Sequence, residues 1–205
     1  MRRADPLRNL GARPLRVSDL AAVPPSLLGK TPVILPLRRG AFRVEAMRVG
    51  LGDVVLLLGQ SSPMLVQTAV PAGLACVLLP LSGAPLRLNG SEAGPGHVLA
   101  SGPGALQEAA AHGEVRWALI VLAAATVERA FRLPRRGGVL RPDRAALLRC
   151  DLATLAEAAS LLADAEETLT ADPGVFAEEE ARRALRASLI EMLQGLLDGA
   201  WGGAL

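Results

Sequence analysis

The two histidines and two cysteines of this 205-residue chain are the residues that could ligate a metal or carry a nucleophile. A metal centre needs three or four such groups on converging elements. His97 and His112 form no His-x-His pair, and Cys76 and Cys150 form no Cys-x-x-Cys pair. Glu108 precedes His112 by four residues, but across a strand and a loop that spacing fixes no convergence. Cys76 lies in the apolar run LACVLLPL, where a reduced, buried thiol is expected. Ser61, Ser62, Ser82, Ser91 and Ser101 all stand at turn signals, where serine serves backbone hydrogen bonding, and no Gly-x-Ser-x-Gly elbow occurs. Glycines in the GxGxxG or GxxxxGK[ST] patterns that cradle phosphate are also missing. The carboxylates Glu45, Asp53, Glu92, Glu108 and Glu114 sit on separate elements. The inventory predicts no catalytic residues, no metal and no cofactor, hence a protein that is not an enzyme.

Composition narrows the partners. There are three Phe, two Trp and no Tyr, too few for base stacking on single-stranded nucleic acid. The stretch 129–149 carries seven Arg against the single acid Asp143, yet no reading helix accompanies it, and it is read as a solvated connection. Lys30 is the lone lysine among 22 basic residues, a bias of GC-rich, bacterial coding. The longest uncharged apolar run, 117–127, is too short to span a bilayer. These features predict a cytoplasmic protein with no membrane partner and no nucleic acid bound by this chain itself.

The positions of these residues depend on elements that the punctuation marks out. Residues 1–150 hold 14 of the 15 Pro and 16 of the 21 Gly, with 19 basic and 9 acidic residues; residues 151–205 hold 3 basic and 11 acidic. The first part reads as short strands at 32–38, 42–49, 53–60, 64–70, 74–81, 84–88, 97–101, 105–110 and 115–123, separated by Gly, Pro and Ser turns every 8–12 residues. That spacing indicates an antiparallel sandwich or barrel. Asn89–Gly90 is a strong hairpin signal, since both residues tolerate positive φ. A short helix follows at 126–133.

The last part reads as two amphipathic helices. Asp151 is a suitable N-cap, and Leu152, Leu155, Ala159 and Leu162 mark one face. Asp172–Pro173 opens the second helix, in which Leu185, Leu189, Met192 and Leu196 recur at 4-3-4 spacing and Gly199 ends the run. The stripe predicts a homodimer seam, with Leu193 and Leu197 turned toward the chain's own core.

The order of these elements resembles the N-terminal half of AraC-type transcriptional regulators, a cupin-like β-barrel followed by helices. The stretches that carry it are AFRVEAMRVGLGDVVLLLGQ, PAGLACVLLPL with PLRLNG and PGHVLASGPG, VRWALIVLAAATVERAF and the two terminal helices. The resemblance implies an N-terminal arm at 1–29, a cupin-like barrel at 30–123, a connection at 124–150 and a helical dimerisation region at 151–205. It implies a small-molecule effector held inside the barrel. Trp117 stands on the strand where such sensors place a ligand-contacting aromatic, and Gln67, Arg87 and Ser91 are polar candidates on neighbouring strands and turns. Few charges fall on inward positions, so a modest, largely apolar effector is expected. The helix-turn-helix reader of such regulators is absent from this chain. The competing readings are a cupin-like isomerase or dioxygenase, whose metal histidines are missing here, and a module that only dimerises.

Overall fold

Three runs in this chain are apolar at every position rather than at alternate ones: VVLLL, LACVLL and ALIVL. A strand with that pattern must be covered on both faces. The computed structural model describes residues 13–17, 32–39, 42–94, 96–131, 140 and 143–204, and it places all three runs side by side at the middle of one sheet. In chain order the strands are β1 (Arg13–Val17), β2 (Val33–Pro36), β3 (Val44–Gly50), β4 (Val54–Ser61), β5 (Met64–Ala69) and β6 (Leu74–Gly83). They continue with β7 (Leu86–Leu88), β8 (Ser91–Ala93), β9 (His97–Ser101), β10 (Leu106–Ala111) and β11 (Val115–Ala123). After helix α1 (Ala124–Ala130) come β12 (Ala145–Arg149), α2 (Leu152–Ala171), a 3₁₀ turn (Pro173–Ala177), α3 (Glu179–Asp198) and β13 (Trp201–Ala204). Every pairing is antiparallel. The larger sheet runs β1-β3-β4-β11-β6-β9-β12-β13, and the smaller runs β2-β5-β10-β7-β8.

Strand parity divides the central sheet between two cores. Val54, Leu56, Leu58, Val77, Leu79, Ala118, Ile120 and Leu122 face one way and pack with the helices. Val55, Leu57, Cys76, Leu99 and Val121 face the other way, into the space between the sheets. The helical hairpin is therefore the outer cover of the large sheet. Leu162 of α2 and Leu189, Leu193 and Leu196 of α3 are fully buried in this layer. At roughly 1.5–3 kcal/mol per buried leucine, this layer is a major part of the folding energy.

Local chemistry fixes the joints. The Asp151 carboxylate accepts from the backbone N–H groups of Ala153 (2.9 Å) and Thr154 (3.1 Å), capping α2. Asp172 accepts from the Gly174 N–H (2.8 Å) and starts the 3₁₀ turn with Pro173 behind it. Asn89 and Gly90 have φ of 48° and 80°, the left-handed pair a two-residue hairpin requires. Asp53, in the turn before β4, receives Arg186 of α3 on both carboxylate oxygens, one at 2.8 Å, together with Thr126 and Arg129 (3.0 Å) of α1. These partners hold the Asp53 carboxyl at about 2, below its ordinary 3.8.

Several expectations change. The stripe Leu185, Leu189, Met192 and Leu196 does not present a free seam: the three leucines are buried within the chain against the sheet, and Met192 is half-buried beside them. A sheet that is apolar on both faces needs them itself. The buried face of α2 is Ala158, Leu162, Ala165 and Leu169, while Leu152 is exposed. The large sheet also draws in strands from outside 30–123, namely β1, β12 and β13. Residues 1–12 and 18–29 of the expected arm, 30–31 at the start of the expected barrel, and 132–139 and 141–142 of the Arg-rich connection lie outside the described residues.

Candidate functional site: a cavity between the sheets

The inner faces of the two sheets do not meet everywhere. Between them lies a cavity of about 140 Å³. The large sheet contributes Ser61, Leu78, Leu99, Val115, Trp117 and Leu119; the small sheet contributes Met64, Val66, Thr68, Leu86, Gln107, Ala109 and Ala111. The alternation of β5 and β10 explains the second set, because only every other residue of a strand points inward.

Trp117 is positioned from both sides of β11. Across the β4 pairing its partner is Gly59, which leaves room for the indole. Across the β6 pairing the register shifts at Arg116/Trp117, so that Arg116 faces Ser82 and Trp117 faces Pro80. The bulge accommodates a proline in a central strand, since Pro80 has no N–H to give the ladder. Bulges re-aim the side chains beside them, and here that side chain is in the cavity wall.

The cavity wall is apolar but not chemically silent. Among the described residues, three buried side-chain polar atoms have no hydrogen-bond partner: Ser61 Oγ, Thr68 Oγ1 and Trp117 Nε1. All three belong to residues that line this cavity. Leaving such a group unpaired costs about 1–3 kcal/mol. Gln107, also in the wall, is satisfied by donating to Ser101 Oγ at 2.9 Å. Behind it, burial pushes the Cys76 thiol up to about 12, opposed in part by a hydrogen bond with Gln107. Cys76 is therefore a neutral packing group, not a nucleophile.

Of the expected ligand residues, only Trp117 lines the cavity. Gln67 projects from the outer face of β5 and donates to Glu108 (2.7 Å). Arg87 likewise points outward and donates to the Gly90 carbonyl (2.9 Å). Ser91 pairs with Leu88 at the edge of the small sheet, away from the cavity wall. The polar side chains of the wall are instead Thr68, Gln107 and Ser61, the last a strand residue of β4 where the sequence suggests only a turn serine. The neighbours Val66 and Thr68 carry the alternation that would have moved the choice from Gln67 by one residue.

No group of three or more His, Cys, Asp or Glu among the described residues is arranged to hold a metal. His97 Nδ1 lies 3.2 Å from the Gly94 carbonyl, and His112 is exposed in the β10–β11 turn. No helix among the described residues is long and apolar enough to cross a membrane.

Two antiparallel sheets enclosing a cavity, with a helical hairpin on the outer face, define a cupin-like fold. A solved structure shares this fold. The crystal structure of the AraC-like transcriptional activator CuxR matches with TM-score 0.58 at 14% identity, over 82% of this chain and 61% of that one. The chain thus spans about three fifths of the length of that activator. Two lesser likenesses are a putative ethanolamine utilization protein EutQ from Salmonella typhimurium LT2 (TM-score 0.32, 16% identity, 40% of this chain and 70% of that one) and the EutQ protein of Clostridium difficile (0.34, 10%, 54% and 94%). No protein-family model and no curated protein matches the sequence.

Proposed function

We propose that this chain is the effector-sensing part of a cytoplasmic transcription regulator and that it binds a small molecule in the cavity between its sheets. The observation that carries the reading is the coincidence of three unpaired buried polar atoms with one apolar cavity. Cavities of this chemistry take small hydrophobic guests, and one of about 150 Å³ holds benzene. A guest with one or two polar atoms would supply the missing partners. The fold shared with an AraC-like activator supports the regulatory setting.

Thermal denaturation with and without benzene tests it. Selective binding raises the apparent stability. The shift should vanish in an Ala109→Leu variant, which fills the cavity. No shift in the parent chain, or an equal shift in the filled variant, overturns the assignment.

A homodimer belongs to the same reading. Its seam then lies on the outward groove between α2 and α3, bordered by Thr154, Glu157, Leu161, Ser188 and Met192, since the inner stripe is occupied. Light scattering on the parent and on Leu161→Glu checks this. A dimer that the substitution dissociates supports the groove; a parent monomer at high concentration removes the claim.

A further inference from the structure

Of the three unpaired polar atoms around the cavity, two stand together on one wall. Ser61 ends β4 and is 4% exposed. It pairs with Val115 across the β4–β11 ladder, so Trp117 is its diagonal neighbour on the inner face. The indole leans toward the same strand. Its Cζ2 and Cη2 lie over Gly59, where a Cβ would be 2.7 Å and 2.9 Å from them. In the ring, a single carbon separates Cζ2 from Nε1. Gly59 and Ser61 point the same way, about 7 Å apart along β4. The ring nitrogen and the Ser61 hydroxyl therefore share the β4 side of the cavity. Thr68 is on the facing sheet, toward the end of β5 far from the Ser61–Met64 corner.

The chemistry of that pair is directional. An indole N–H only donates, and the Ser61 hydroxyl donates one hydrogen by rotating toward its partner. Among the described residues that line the cavity, none is ionisable. A charged guest would lose its hydration there and find no counter-charge, at a cost beyond what two hydrogen bonds return. A neutral acceptor oxygen with two lone pairs answers both donors at once. A guest hydroxyl in the same place brings a hydrogen of its own. The two wall donors already fill the lone pairs of its oxygen, so that third hydrogen goes unmatched. Resting on the binding role proposed above, we infer that the guest is a small neutral carbonyl compound, whose oxygen accepts from Trp117 Nε1 and Ser61 Oγ. Its hydrocarbon body, of about the bulk of benzene, lies against Leu78, Leu99 and Leu119.

Titration calorimetry of the full chain with cyclopentanone, cyclopentanol and methylenecyclopentane, the hydrocarbon analogue of the ketone, tests this. The quantity read is the ratio of ketone to hydrocarbon affinity, compared between each variant and the parent. The cost of stripping water from each probe cancels in that comparison. Ser61→Ala and Trp117→Phe should each lower the ratio about fivefold, the usual scale of one hydrogen bond. Retained binding of methylenecyclopentane shows that the variants stay folded. Thr68→Val, which keeps the side-chain shape, should leave the ratio unchanged. Cyclopentanol should bind the parent several-fold more weakly than cyclopentanone. A ratio that neither Ser61→Ala nor Trp117→Phe moves, or that Thr68→Val moves instead, overturns the carbonyl assignment while the cavity reading stands. So does cyclopentanol binding as tightly as the ketone. Failure of all three probes to bind removes the cavity reading itself.

Discussion

Gly59 and Trp117 face one another across the β4–β11 pairing, and the indole occupies the volume that a side chain at position 59 would need. A Cβ there would lie 2.7 Å from Trp117 Cζ2 and 2.8 Å from the Glu45 carbonyl. Real Cβ atoms do not tolerate such contacts, so the glycine is what allows a tryptophan to form this part of the cavity wall.

Gly59→Ala should therefore push the indole out of place. We expect a loss of about 1–3 kcal/mol, the usual range for overpacking, and weaker binding of cavity guests. At this chain length that is a fall in Tm of several degrees. Scanning calorimetry and tryptophan fluorescence in a Trp201→Phe background measure both effects.

The Asp53 cluster predicts an acid-sensitive joint. The folded-state carboxyl sits at about 2, against an ordinary 3.8. The unfolded chain thus binds the proton more readily, and stability rises with pH across this window. The contribution is complete above about pH 4 and is lost as pH falls through about 2. We expect it to be on the order of 1–2 kcal/mol. Asp53→Asn should lower stability at pH 7 and flatten the dependence between pH 4 and 2, as read by denaturant titration at several pH values.

Substitution in the helical layer should unfold the chain rather than dissociate it. Leu189 and Leu196 are 0% exposed. Glutamate at either position places a charge in the core, at a cost of roughly 4 kcal/mol or more. Ala187→Glu, at an exposed position of the same helix, should stay within about 0.5 kcal/mol of the parent. Circular dichroism melts distinguish the two.

Both thiols should resist modification in the folded chain. Cys76 is 0% exposed and its thiol is pushed up to about 12 by burial; Cys150 is 3% exposed and is pushed up to about 11. Thiol labelling should be negligible without denaturant and complete in its presence.

The sequence was legible where a local rule acted alone. The strand at 115–123 coincides with the one observed, the Asn89–Gly90 turn has the expected positive φ values, and Asp151 caps α2 as its side chain permits. It was less legible where a residue's role depends on a distant layer. Leu106 is 75% exposed while its neighbour Gln107 is 8% exposed, the reverse of their hydrophobicity, because Gln107 meets Ser101 across the sandwich. Taken alone, the leucine stripe of α3 reads as a seam for a second copy, whereas in the fold it covers the outer face of the large sheet. The signal was present in VVLLL, whose unbroken apolar run already requires a layer on each side.

The return of the chain to the sheet after the helices has a practical meaning for protein engineering. Trp201–Ala204 pairs with Ala146–Arg149, beyond the helices that cover the same sheet. The sandwich and the hairpin are consequently interleaved along the chain and cannot be spliced apart at residue 150. A chimera that carries this unit must include everything through Ala204, and its junction has to come after the last strand rather than between sandwich and helices.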